Sequence, residues 1–181
     1  VINPDTVFKN ETIKNIFSEA KLIDDFAIIS PVNTDISHPN YKPSGKIFSE
    51  NIIEANSVDG FAMLINKKKF DENKFFDENF FLFLENDDLC KRTKKLGNNI
   101  YVIKNAFIDH KGFSSSTKID KDKLENLRNW HWMWSKFYFN KKHYGFSQAF
   151  FSILPSFLSS IIKIFIFIFL FNKQKRKIYQ F

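Results

Sequence analysis

From Asn10 to Lys21 (NETIKNIFSEAK) apolar residues recur at three- and four-residue steps, with Ile13, Ile16 and Phe17 on one face. This pattern predicts an amphipathic helix with Asn10 as its cap. The residues before it, 1–6, read as the end of a strand and a loop. Phe26–Ser30 (FAIIS) predicts a short buried strand ended by Pro31. Residues 32–50 hold Pro39, Pro43 and Gly45 among polar side chains and read as a surface loop. Ile52–Val58 and Phe61–Ile65 read as strands on either side of Gly60, and Lys67–Asp71 as a short helix. Asn86–Lys95 predicts a helix, with Asp87 and Asp88 in its first turn, Lys94 and Lys95 in its last and Gly97 closing it. Ile100–Ile103 and Ala106–Asp109 read as two short strands. Strands alternating with helices imply an α/β sandwich with a mostly parallel sheet. Ligands of such sheets bind beyond the carboxyl ends of the strands, where Asp5, Glu85 and His110 would fall.

After Ser116 the pattern changes. Residues 117–145 are dominated by a helix, Asp122–Lys142, carrying Trp130, His131, Trp132, Trp134, Phe137, Tyr138 and Phe139. Leu124, Leu127, His131, Trp134 and Tyr138 share a face, and Lys136, Lys141 and Lys142 accompany the rings. Trp and Tyr beside Lys suit the membrane–water boundary, although a helix packed on a neighbouring domain reads the same way. Residues 146–181 begin with an almost unbroken apolar stretch, Phe146–Phe171, and end in Lys173, Lys175, Arg176 and Lys177. A straight span needs about 20 apolar residues. Pro155 and Lys163 interrupt this one, and Gln148, Ser152, Ser156, Ser159, Ser160 and Lys163 draw a polar stripe. The stripe favours a helix lying in the interface, or a re-entrant one, over a full span. In either case the basic end belongs on the cytoplasmic side, against anionic lipid.

Charge sharpens this division. The net charge of +7 is the outcome of 14 Lys/Arg against 17 Asp/Glu in residues 1–110 and 13 against 3 in residues 111–181. A mildly acidic body with a basic, aromatic tail points to an anionic surface as the tail's partner. The run IIKIFIFIFLF selects lipid over nucleic acid. The single cysteine, Cys90, excludes an intramolecular disulfide and reads as a small core residue.

Candidate chemistry gathers in FFDENFFLFLENDDLCKRTKKLG, residues 75–97, where aromatic residues run into Glu85, Asn86, Asp87 and Asp88. Carboxylates at the mouth of an apolar segment suit a rigid, partly desolvated base. They equally suit the first turn of a helix, whose dipole they complement. Asp88 lies four residues before Arg92, the spacing of a surface ion pair, which counts against it as a base. Glu85, placed just before the helix, is the freer to enter a cleft, which ranks Glu85 first, Asp88 second and Asp87 third.

Five pieces, in order, carry a resemblance: Asn3-Pro4-Asp5; Val58-Asp59-Gly60-Phe61-Ala62-Met63-Leu64-Ile65; Phe76-Asp77-Glu78 with Phe80-Phe81-Leu82-Phe83; Glu85-Asn86-Asp87-Asp88-Leu89-Cys90; and Asp109-His110-Lys111-Gly112 with Ser114. Together residues 3–116 resemble the second half of the nucleotide-sugar-binding domain (GT-A fold) of inverting family 2 glycosyltransferases, in particular the rhamnosyltransferase-like branch. The resemblance implies transfer of a sugar, with inversion, from a nucleotide-sugar donor to a glycan or lipid-linked acceptor at the membrane, in cell-surface polysaccharide synthesis. It implies Mg²⁺ or Mn²⁺ held by Asp5 with His110 as a further contact. It also implies substrate contacts from Asn3, Gly60, Asn86, Arg92 and Ser114. The family's usual Asp after the glutamate is Asn86 here, which cannot take a proton, so the base falls to Glu85, Asp88 or Asp87. The alternative is a non-catalytic module that docks a polysaccharide-assembly complex to lipid. The chain opens on Val1, and its first motif is one the resemblance places mid-domain. It therefore reads as a piece lacking roughly the first hundred residues of such a domain, as judged from ordinary domain size, and as inactive by itself.

Overall fold

A computed structural model describes residues 1–70, 75–110, 121–170 and 175–176. The chain forms two compact units: Val1–Asp77 with Glu85–Ser116, and Glu78–Leu84 with Thr117–Phe181.

The first unit is an α/β layer structure. In chain order it contains β1 (Thr6–Phe8), α1 (Thr12–Ala20), β2 (Ile28–Asn33), β3 (Tyr41–Ile47), β4 (Ile52–Val58), β5 (Leu64–Ile65), a single 3₁₀ turn (Lys67–Lys69), α2 (Glu85–Lys95) and β6 (Ile100–His110). The strands form one six-stranded sheet in the order β3-β4-β6-β2-β5, with β1 also on β6. The expectation of a mostly parallel sheet is corrected. Only β2 and β6 pair in parallel among the described residues, and β1–β6, β2–β5, β3–β4 and β4–β6 are antiparallel. The mixture follows from short connections, since β3 and β4 are joined as a hairpin, which forces antiparallel pairing.

Strand alternation builds the core. Ile28, Ile100 and Val102 join Leu89 and Cys90 of α2 on one face, while Ile29, Tyr101 and Ile103 join Ile16 of α1 on the other. Successive side chains of β2 and β6 thus serve opposite layers. On α1 only Ile16 of the predicted apolar face is buried. Ile13 and Phe17 are exposed and, with Val1, Ile2, Phe8 and Leu64, line an apolar hollow of about 210 Å³.

Several boundaries differ from expectation for identifiable reasons. The residue before α1 is Glu11 rather than Asn10, in a left-handed conformation (φ 64°) and without a side-chain cap. Pro31 does not end β2: the β2–β6 register shifts between Pro31 and Val32, and a proline is tolerated where the ladder is broken. The same shift lets residues 100–110 run as one strand rather than two. Pro43 and Gly45, read as loop, lie in β3, an edge strand with two register shifts next to Pro43. An edge needs no ladder on its outer side, so proline costs little there. Phe61–Ile65 is strand only at Leu64–Ile65, with Ala62 in an isolated bridge to Ile2. The short helix expected over Lys67–Asp71 is the 3₁₀ turn, capped by the Asn66 side chain, which accepts from the Lys68 amide at 3.2 Å. Gly97 closes α2 at φ 75°, as its position suggested.

The second unit contains α3 (Lys121–Tyr144) and α4 (Phe146–Phe169), joined at Gly145, whose φ of 92° an L side chain would resist. Residues 78–84 belong to it. The Phe80 ring lies edge-on to Tyr138, Phe81 lies on His131, and Phe83 is edge-on to Trp132. Ser135 Oγ donates to the Leu82 carbonyl at 2.7 Å, and Trp134 Nε1 to that of Asn79 at 3.3 Å. On α3 the buried positions are His131 and Ser135, whereas Leu124 and Leu127 are exposed. α4 is unbroken at Pro155. Its 24 residues rise about 36 Å at 1.5 Å each, and it is long and apolar enough to cross a membrane. The basic run after it, Lys173 to Lys177, falls largely outside the described residues.

Candidate active site

The N-terminal segment is stitched along residues 61–63. The Asn3 amide donates to the Phe61 carbonyl at 2.8 Å, and the Val1 amine to that of Met63 at 2.8 Å. Asp5 then precedes β1, which runs antiparallel to β6 with Thr6 opposite His110. Asp5 therefore meets the carboxyl end of β6, and its Oδ1 lies 3.4 Å from His110 Nε2. The imidazole is stacked on Phe61, with centroids 4.4 Å apart and planes 14° from parallel. The neighbouring Asp109 is engaged elsewhere, by Lys9 and by the Thr34 hydroxyl.

A second set of groups is fastened to the same stretch. Gly60 abuts Asn86: a Cβ on Gly60 would lie 3.2 Å from the Asn86 Cβ. Asn86 Nδ2 donates to the Val58 carbonyl at 3.1 Å. These contacts pin the first turn of α2 to the end of β4 and bring Asp87 toward Asp59. Asp59 keeps solvent contact. Partial burial and then the Asp87 charge raise its carboxyl above the ordinary range, against the opposing pull of Lys42 and His110. Lys42 Nζ stands 3.7 Å from Asp87 Oδ1.

The three candidate bases fall in different settings. Glu85 is the first residue of α2, not a residue preceding it as expected, because the helix starts one residue earlier. Its side chain is half-buried, and its Oε2 is shielded from solvent without a hydrogen-bond partner. Burial raises the Glu85 carboxyl, its own backbone amide opposes the rise, and the Asp87 charge adds to it. Asp88 is fully buried and receives the Arg92 Nε at 2.8 Å, while the Arg92 guanidinium also donates to the Phe75 carbonyl. Asp88 and Arg92 thus form the ion pair that their spacing suggested, but with Asp88 buried rather than at the surface as expected. Cys90 is buried, its thiol pushed up to about 12 chiefly by burial, which keeps it protonated and inert. Ser114 lies outside the described residues.

Asp5, His110, Gly60, Asn86, Asp87 and Glu85 are thereby linked within one unit through Phe61 and Asp59. Sequence reasoning singled out neither Asp59 nor Lys42. Asp59 stands inside a quoted motif, beside the glycine. Lys42 carries no local signal in a segment read as loop. Among the described residues no group of three or more His, Cys, Asp or Glu side chains is disposed to hold a metal. The Asp5–His110 pair offers two ligand atoms, which suits Mg²⁺ or Mn²⁺ only if phosphate oxygens complete the shell, as is usual for Mg²⁺. No family model, curated protein or solved structure matches this chain.

Proposed function

We propose that the first unit belongs to a membrane-associated inverting glycosyltransferase. The sheet is α/β and mixed, and a partial GT-A domain is our reading of it. What supports the reading is the linkage just described: a carboxylate–imidazole pair at one strand end, stacked on Phe61, with the adjoining Gly60 abutting Asn86, the residue next to the half-buried Glu85. In this reading Asp5 and His110 would hold a divalent cation, which would supply charge stabilisation to the departing nucleoside diphosphate. The acceptor hydroxyl attacks the anomeric carbon from the face opposite the diphosphate. A new carbon–oxygen bond forms, the bond to the diphosphate oxygen breaks, and the hydroxyl proton passes to Glu85. A carboxylate raised by burial is the stronger base. Asp88 holds α2 through Arg92, Asn86 anchors its first turn, and Asp87 with Lys42 sets the local field. Asn3 and Gly60 are proposed to line the substrate path. The second unit keeps the site at the cytoplasmic face of the membrane, where a lipid-linked acceptor is presented.

The test is nucleoside diphosphate release from a panel of nucleotide-sugars by the full-length protein in membranes. Glu85→Gln should lower release about a hundredfold, the low end of general-base contributions, while membrane binding is unchanged. Unaltered release in both Glu85→Gln and Asp87→Asn removes the assignment of the base.

A further inference from the structure

The backbone of Asp59 is fixed from both sides. Its amide donates to the Asn40 carbonyl at 2.8 Å. Asn40 is buried, and its side chain ties it to β2, accepting from the Asn33 amide at 2.9 Å and donating to the Pro31 carbonyl at 2.9 Å. On the other side Gly60 abuts Asn86, and Phe61 carries the His110 ring. A segment held this firmly gives the Asp59 side chain a definite place. Its carboxylate nevertheless accepts no hydrogen bond among the described residues. The nearby ammonium, Lys42 Nζ, is instead 3.7 Å from Asp87 Oδ1. Asp59 is exposed. An exposed carboxylate set near a second one contributes little to holding a fold, because the like charges oppose each other. It is well suited to hydroxyl groups, since it accepts and cannot donate.

Chemistry locates those hydroxyls. In an in-line displacement the transferred sugar lies between the departing diphosphate and the base. Asp59 is within electrostatic reach of Asp87, which shares the first turn of α2 with Glu85, and of His110, at the diphosphate end of the site. We propose that Asp59 binds the transferred sugar, its carboxylate accepting from ring hydroxyls, and that this sugar is neutral. A uronate would set a further negative charge against Asp59 and Asp87. The assignment rests on the transferase reading above and adds to it the residue that reads the sugar.

The test is titration calorimetry on the full-length protein in the presence of Mn²⁺. The probes are a panel of nucleoside diphosphates, each free, carrying a neutral hexose, and carrying the corresponding uronate. Asp59→Asn should weaken binding of the neutral nucleotide-sugar about tenfold, the worth of a charge-assisted contact, and leave the free nucleoside diphosphate unaffected. The wild type should bind the uronate roughly tenfold more weakly than the neutral sugar, as like charges brought together require, and Asp59→Asn should narrow that gap. Neutral sugars lacking one hydroxyl at a time identify the contact. At that position alone, the loss from the missing hydroxyl and the loss from Asp59→Asn should fail to add. The variant keeps the amide bond to Asn40 and should melt no lower than the wild type, which separates lost binding from lost folding. Equal binding of the neutral nucleotide-sugar by wild type and Asp59→Asn overturns the assignment, as does a uronate bound as tightly as the neutral sugar. Equal losses for the free and the sugar-bearing diphosphate also overturn it, by making Asp59 a cation ligand. A wild type that binds none of the panel defeats the transferase reading itself, and this assignment with it.

Discussion

Oδ1 of Asp5 lies 3.4 Å from Nε2 of His110, at the point where β1 begins and β6 ends. The two residues are 105 positions apart in the sequence, and the antiparallel register of Thr6 with His110 is what joins them. Two hard-to-intermediate ligands bind a cation weakly until phosphate oxygens join them. We therefore expect Mn²⁺ binding to be tight only in the presence of a nucleoside diphosphate. Asp5→Asn should weaken that ternary binding at least tenfold, following the loss of the carboxylate charge. Titration calorimetry with Mn²⁺, with and without nucleoside diphosphate, reads the difference. Equal Mn²⁺ affinity in Asp5→Asn and wild type would dissociate Asp5 from the cation.

The half-buried setting of Glu85 makes a prediction about pH. Its carboxyl is raised above the ordinary value of 4.5, so the folded state holds this proton more firmly than the unfolded chain does. Stability linked to Glu85 is then fully present below about pH 4.5 and is lost as pH rises through the folded value. Glu85→Gln cannot lose a proton and should flatten this decline, melting higher than the wild type at neutral pH but not at pH 4. The acidic limb of any transfer activity should reflect the same elevated carboxyl and vanish in the variant. Melting temperatures measured across this range check the first part. A variant less stable than wild type at neutral pH would contradict it.

Much of this arrangement was visible in the residue pattern, and the parts that were hidden share a cause. β4 matches Ile52–Val58 because a half-buried strand flanked by turn residues declares itself locally. α2 was also near its expected limits, since acidic first-turn residues and Gly97 mark both ends. β3 was hidden because Pro43 and Gly45 are ordinarily breakers, and only its edge position makes them acceptable. The mixed sheet was hidden because pairing direction is set by which strands meet, not by any one strand's composition. The closeness of Asp5 to His110 comes from the β1–β6 register, which no signal local to either residue announces. Asp59 became part of the site through Asp87, a neighbour 28 positions away that nothing local to Asp59 announces. The docking of Phe80, Phe81 and Phe83 on α3 likewise depends on partners about fifty residues distant.

Gly60 is held to a small residue by space rather than by backbone conformation. An added Cβ would stand 3.2 Å from the Asn86 Cβ, tighter than ordinary contact, and Asn86 is itself fixed by its bond to the Val58 carbonyl. Gly60→Ala should cost about 1–3 kcal/mol, the usual range for overpacking, and should displace the first turn of α2 that carries Glu85 and Asp87. Pairing it with Asn86→Gly removes the opposing Cβ. A double-mutant cycle should then show coupling beyond the roughly 0.5 kcal/mol expected of independent sites. Chemical denaturation of the four proteins measures this, and strictly additive effects would dismiss the contact.

Asp88 and Glu85 offer the sharpest separation between holding the fold and doing chemistry. Asp88 is fully buried, and its partner Arg92 is bonded both to it and to the Phe75 carbonyl. Neutralising Asp88 removes a fully buried charged partner of the Arg92 guanidinium and leaves an amide in its place. Asp88→Asn is therefore expected to destabilise by about 3 kcal/mol, the low end for breaking a buried pair, a large part of an ordinary domain's stability. Arg92→Met in the same background replaces the guanidinium with an apolar chain and should recover part of the loss, because a buried pair exchanged as a unit is often close to neutral. Any sugar transfer should follow stability in this series, falling in Asp88→Asn and returning in the double variant. If Asp88 were the base, the double variant would regain its melting temperature and remain inactive. Measuring melting and transfer on the same preparations distinguishes the two roles.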